Sequence, residues 1–152
     1  MSSLTSTPAQ PKFTGEACHK VEGKNRITIP ASWRFEKEVT LYMIQKADKA
    51  CVSVMTLAEV ERIECEADGL EPMERSDFLE TLGSRLREVQ MDKGGRISLP
   101  EAFFPLLGLP EAKEVWLSGA SKTFNIWSVR NFEAKKAGEE ERGKALLRRL
   151  GI

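Results

Sequence analysis

The 152-residue sequence predicts an α+β protein, mainly β with short helices. Three observations carry that expectation. The chain repeats itself at an offset of seventy residues. Each copy contains short runs in which apolar and hydroxyl residues alternate, bounded by turn formers, as half-buried strands require. Each copy also closes on a Ser or Thr placed as a helix cap.

The repeat is read most directly from two stretches. Val21-Glu22-Gly23-Lys24-Asn25-Arg26-Ile27-Thr28-Ile29-Pro30 is matched by Met91-Asp92-Lys93-Gly94-Gly95-Arg96-Ile97-Ser98-Leu99-Pro100. Both run apolar, acid, three residues, Arg, Ile, Ser/Thr, aliphatic, Pro. Further on, Val52-Ser53-Val54-Met55-Thr56 matches Phe124-Asn125-Ile126-Trp127-Ser128, and Val60-Glu61 matches Phe132-Glu133, now at an offset of seventy-two. The drift places a two-residue insertion around 108–113 in the second copy.

Taken in order, residues 1–12 read as a flexible N-terminal tail, because Met1 to Pro11 are rich in Ser, Thr and Pro and carry no charged side chain. The first unit spans 13–58. Its turn Gly23-Lys24-Asn25 precedes the strand Ile27-Thr28-Ile29, since Gly and Asn tolerate the positive φ of a tight hairpin. Pro30 stops that ladder, and a short helix is expected over 31–37. A hairpin follows, Thr40–Gln45 with Cys51–Met55. Thr56 caps a helix over 57–67, with Glu59 three residues on as a capping box.

The acidic helical linker spans 59–84, broken at Gly69 and Pro72, with Phe78, Leu79 and Leu82 at helical spacing. The second unit, 85–130, repeats the pattern. Its turn is Lys93-Gly94-Gly95, its ladder stop Pro100, its short helix 101–107, and its hairpin Glu114–Ser118 with Thr123–Trp127. Ser128 caps a helix over 129–136. The C-terminal segment 131–152 ends in a short amphipathic helix over 139–150, with Ala145, Leu146, Leu147 and Leu150 as its apolar face.

Composition excludes several classes. No apolar run approaches the ~20 residues of a membrane span, and the first residues lack the basic start and apolar stretch of a signal peptide. Cys18, Cys51 and Cys65 are an odd count without CxxC spacing. They read as reduced thiols of a cytosolic protein, each packed as a small buried hydrophobe. His19 is the only histidine, and adjacent Cys18 points to the opposite strand face. No P-loop, GxGxxG, HExxH or GxSxG pattern is present. The expectation is therefore no enzyme, no cofactor, no metal site and no small-molecule substrate.

The recurring Asp/Glu-x-x-x-Arg element places Lys24 and Arg26, then Lys93 and Arg96, on turns projecting from a sheet. An acid and base pairing across a surface turn is the plainest reading, and such a pair is worth little. Recurrence in register raises a second one: Arg bonds bidentately to guanine or phosphate, and a two-stranded ribbon fits the DNA major groove. The total formal charge of zero does not oppose this. Segments 12–58, 85–135 and 136–152 carry +3, +2 and +2, and segment 57–84 carries −7. Both repeats are mildly basic and the linker is strongly acidic, which keeps the linker away from a polyanion.

The stretch Phe13-x-Gly15-x-x-x-His19-x-Val21-Glu22-x-x-x-Arg26-Ile27-Thr28-Ile29-Pro30 resembles the start of the MraZ family. These are bacterial transcriptional regulators associated with the division and cell-wall gene cluster. Asp92 through Pro100, and on to Ile126-Trp127, is similar to the family's second SpoVT-AbrB domain. The resemblance covers roughly residues 13–136.

It implies two AbrB-type swapped-hairpin units pairing into one pseudo-two-fold β-barrel. It also implies a homo-oligomeric ring, an octamer or similar, that binds direct repeats in double-stranded DNA and represses the operon below them. Localisation is then cytoplasmic and nucleoid-associated. By motif, Arg26 and Arg96 are the DNA-contacting arginines, with Lys24 and Lys93 beside them. Glu22, Asn25, Asp92, Gly94 and Gly95 position the turns, and His19 is structural. The chain departs from the family pattern at Glu22, where Asp is usual, and at Gly23 and Asn25, where Asp and Gly are more common. These departures bear on sequence preference. An AbrB-type antitoxin or protein-interaction module is the alternative expectation, opposed by the duplication.

Overall fold

Short strands, several of them bounded by Gly, Pro or Asn, pair largely across the repeat boundary. A computed structural model describes residues 10–152. Residues 1–9 of the expected tail lie outside the described residues. The strands are β1 (Glu16–Lys20), β2 (Arg26–Thr28), β3 (Val39–Gln45), β4 (Val52–Met55), β5 (Arg87–Met91), β6 (Arg96–Ser98), β7 (Glu114–Gly119) and β8 (Phe124–Ser128). The helices are α1 (Leu57–Glu66), α2 (Pro72–Arg85), α3 (Phe104–Leu107) and α4 (Val129–Arg149). Single 3-10 turns occupy Ala31–Trp33, Ala67–Gly69 and Glu101–Phe103.

The class is mixed α+β with an antiparallel sheet, as the alternation predicts. Six strands lie in the order β1-β7-β8-β4-β3-β5, and β2 pairs with β6 as a separate ribbon. Exchanging the two copies reverses the six-strand order onto itself. The first strand of each repeat lies on the hairpin of the other: Cys18 stands opposite Trp116, and Val89 opposite Leu41. The two hairpins meet at β4 and β8, with Ser53 opposite Asn125. No closed barrel is formed among the described residues, because β1 and β5 remain as sheet edges. The strands that could have linked those edges, β2 and β6, are three residues long, stop at Pro30 and Pro100, and pair with each other.

The core lies between the sheet and the β2–β6 ribbon. Ile27, Ile29, Ile97 and Leu99 from the ribbon strands and the residues just after them meet Leu41, Met43, Val52, Val54, Leu117 and Ile126 from the sheet. Trp33 joins Phe13 and Phe124 in a ring cluster with centroids 5.0–5.8 Å apart. Its indole N–H donates to the Thr14 carbonyl, which leaves that buried donor satisfied. A second cluster gathers Cys51, Trp127 and Phe132, with Trp116 stacked on Phe132 at 4.4 Å.

Several expectations need correction. Of the helix expected over 31–37, only the turn Ala31–Trp33 forms. Pro72 does not break the linker helix but begins it, since a first-turn residue needs no donor. The helices expected over 129–136 and 139–150 are one, α4. Gly138 and Gly143 each cost only about 1 kcal/mol against Ala inside a helix, and the Glu, Lys, Arg and Leu around them favour its continuation. Thr56 Oγ1 accepts the Glu59 N–H, but the Glu59 carboxylate turns to Arg62 instead of completing the box. Of the cysteines, only Cys51 is buried; Cys18 and Cys65 are exposed, on the outer face of the edge strand β1 and on α1.

Candidate nucleic-acid interface

The two Asp/Glu-x-x-x-Arg elements form turns leading into β2 and β6. Those strands pair with Ile27 opposite Ile97, Arg26 opposite Ser98 and Thr28 opposite Arg96. Both isoleucines are buried. Strand alternation therefore sends Arg26, Thr28, Arg96 and Ser98 to the other face of the ribbon. Two further bonds lace the turns together: the Ile29 N–H donates to the Gly95 carbonyl at 2.7 Å, and the Leu99 N–H to the Asn25 carbonyl at 2.9 Å. Ile29 and Leu99 are repeat equivalents, as are Asn25 and Gly95, so the lacing obeys the same two-fold relation as the sheet.

Inside each turn the backbone differs. In the first, Lys24 and Asn25 both take positive φ, 65° and 54°. Glu22 and Arg26 exchange main-chain bonds, at 2.8 Å and 3.3 Å. In the second, only Gly95 has positive φ, 78°. Its N–H donates to the Asp92 carbonyl at 3.0 Å. The Arg96 N–H donates instead to Asp92 Oδ1 at 3.0 Å, an oxygen that also accepts the Gly94 N–H at 2.9 Å. The Asp side chain thus builds its own turn.

The arginines are held differently too. Arg96 Nε donates to Asp92 Oδ2 at 3.1 Å, an exposed ion pair. The Arg96 main-chain N–H, followed by the guanidinium, holds the Asp92 carboxyl below its ordinary range. Glu22 makes no such pair; its Oε1 accepts the Thr28 hydroxyl at 3.3 Å. Arg26 is half-buried, and its Nε is buried without a hydrogen-bond partner. Lys24 and Lys93 are exposed on the two turns.

Sequence reasoning missed Arg34. Its Nε donates to the Ile29 carbonyl at 3.0 Å, and its side chain lies across Gly95. The signal was available: seventy residues on, the repeat carries Phe104 where Arg34 stands. That is a departure between otherwise matching copies.

The ribbon thus brings Arg26 and Arg96 together on one element, with Lys24 and Lys93 on the turns leading into it and Arg34 packed beside the second turn. Glu22, Asn25, Asp92, Gly94 and Gly95 all lie within the two turns. Such a surface can offer several cationic donors to phosphates or base edges. Among the described residues no cluster of His, Cys, Asp and Glu is arranged to hold a metal ion, and no helix is long and apolar enough to cross a membrane. His19 is half-buried on β1, opposite Val115. A protein-family model described as "MraZ protein, putative antitoxin-like" matches residues 85–149.

Proposed function

With residues 85–149 matched in this way, we propose that the chain is a DNA-binding transcriptional regulator of the MraZ family. In this reading it represses the gene cluster it controls and binds direct repeats in double-stranded DNA. The observation that carries the reading is the β2–β6 pairing, which sets Arg26 and Arg96 at diagonal corners of one ribbon, opposite Ser98 and Thr28, on the face away from the buried isoleucines. A two-stranded ribbon is of a size to enter the major groove, and arginine is the side chain best suited to guanine and phosphate.

The two repeats, 13–58 and 85–130, act as AbrB-type units whose exchanged first strands support the reading of swapped hairpins. Lys24 and Lys93 add electrostatic attraction; Glu22, Asn25, Asp92, Gly94 and Gly95 shape the turns. A subunit with zero net charge gains useful affinity when several copies present their turns together, so a homo-oligomeric ring is part of the proposal. The protein then works in the cytoplasm at the nucleoid, without catalysis and without a cofactor.

The test is binding of the full chain to a fragment carrying direct repeats from upstream of its own gene, across a salt series. Binding should weaken steeply with salt, and Arg26→Ala should abolish it while leaving thermal unfolding unchanged. Unaltered affinity in that variant removes Arg26 from the interface; no binding at low salt removes the reading. A second reading, an antitoxin that grips a partner protein, draws on the family description alone. Co-purification of a small toxin-like protein would favour it.

A further inference from the structure

The two arginine turns are related by the repeat but not by their chemistry. In the second turn Asp92 is fully engaged: Oδ1 accepts the Gly94 and Arg96 main-chain N–H groups, and Oδ2 accepts Arg96 Nε. In the first turn the acid is one methylene longer and bonds Thr28. The Arg26 N–H has gone to the Glu22 main-chain carbonyl, so the carboxylate is not drawn into the turn. Arg26 Nε stays buried without an acceptor.

We propose that the turns are functionally unequal: Arg26 is the arginine free to take acceptors from DNA, and Asp92 restrains Arg96 from doing so. The proposal rests on the DNA-binding reading and adds to it which turn engages and what holds the other back. A phosphate or guanine approaching Arg96 must displace a carboxylate already bonded to it, and the phosphate is repelled by that carboxylate as well. The same approach to the Arg26 guanidinium meets no carboxylate bonded to it, because Glu22 is bonded to Thr28. Binding therefore meets a competitor at Arg96 and none at Arg26. Asp92 stays ionised to lower pH than a free Asp, so the restraint persists throughout the physiological range.

The test uses the full chain and a double-stranded fragment with direct repeats, with salt series for the wild type, Arg26→Ala, Arg96→Ala, Asp92→Asn and the double variant Asp92→Asn/Arg96→Ala. Asn keeps a side-chain oxygen for the Gly94 and Arg96 N–H groups and removes the charge that holds the guanidinium. Arg26→Ala should abolish binding, and Arg96→Ala should weaken it by less than about three-fold, the scale of a weak exposed pair. Asp92→Asn should tighten binding by about three-fold or more and steepen the salt dependence by about one released ion per subunit contact.

That gain should vanish in the double variant, which separates a freed arginine from the mere loss of a negative charge. Where Asp92→Asn lowers the thermal midpoint, Asp92→Ser, which also offers a turn-capping oxygen, takes its place. Equal losses in the two arginine variants overturn the proposal. So does an Asp92 variant without gain, or a gain that survives the removal of Arg96. In those cases the wild type still binds and the DNA reading stands. A wild type that binds no DNA overturns both.

Discussion

Arg34 crosses the face of Gly95: a Cβ built on Gly95 would stand 2.2 Å from Arg34 Nε and 2.6 Å from its Cδ. The same Nε donates to the Ile29 carbonyl, while the Ile29 N–H donates to the Gly95 carbonyl. One arginine from the first repeat therefore clasps the turn of the second. Gly95 is required there twice over, for its φ of 78° and for the space above its Cα.

Gly95→Ala should destabilise the fold. The left-handed backbone costs a non-Gly residue about 1–2 kcal/mol, and pushing Arg34 aside loses a hydrogen bond worth about 1 kcal/mol. In an Arg34→Ala background only the backbone part should remain. A double-mutant cycle by urea unfolding measures the difference; a cycle without coupling would mean that Arg34 does not clasp the turn in solution.

Gly119→Ala should be more damaging. Its Cβ would meet backbone, with Phe13 O at 2.2 Å and Thr14 N at 2.8 Å, where no side chain can swing away. The Gly119 N–H also donates to the Gly15 carbonyl. Accommodation would have to lift the segment that carries buried Phe13, at a cost of about 3 kcal/mol by the scale of overpacking. Thermal unfolding checks this, with loss of protection at the Phe13 and Ser121 amides in hydrogen exchange.

Asp92 gives the second turn a pH signature. Its carboxyl is held below the ordinary Asp value of about 3.9, first by the Arg96 main-chain N–H and then by the guanidinium. A folded-state pKa below the unfolded one means that the stabilisation is present above the unfolded value. It is lost as pH falls through the folded value. The Asp92 side-chain carbon resonance should therefore titrate below the ordinary Asp value, together with the Gly94 and Arg96 amide shifts. A midpoint at or above that value would contradict the bonded turn.

The cysteines should separate by reactivity. Burial pushes the Cys51 thiol up to about 11, and the residue is fully enclosed. Cys65 is exposed on α1, and Cys18 is exposed on β1 but raised by desolvation and by Glu114. The thiolate is the reactive form. A disulfide reagent at pH 8 should label Cys65 first, Cys18 more slowly, and Cys51 only on unfolding. Mass spectrometry of the labelled peptides reads the order.

Much of the fold was legible because it is local. The hairpins β3–β4 and β7–β8 follow from alternation and from their turn residues, and the Thr56 and Ser128 caps follow from one hydroxyl and an N–H three residues on. The candidate site was legible in the same way: an acid, an arginine four residues later and a turn between them, seen twice. What was not legible depended on competition between partners. Glu59 had two, and Arg62 won over the helix N-terminus. The glycines in α4 carry a small penalty that their helix-favouring neighbours overcome. Cys18 lies on a strand whose exposure depends on being a sheet edge, and edge position is a property of the whole sheet.

The sequence by itself determined that there are two copies, which residues form each turn, and, to within a residue, the ribbon strands and the two hairpins, but not β1 or β5. It did so because φ preferences, caps and period-two alternation act within a few residues of chain. Tertiary structure alone decided that β1 pairs with β7 and β5 with β3, that β2 and β6 join as a ribbon, and that Arg34 closes over Gly95. It also decided that Glu22 bonds Thr28, whereas Asp92 holds Arg96 as the plain reading of the motif expects. These outcomes hang on distances between groups far apart in the chain and on one methylene at Glu22. No pattern of residue types encodes them until the two repeats are brought face to face.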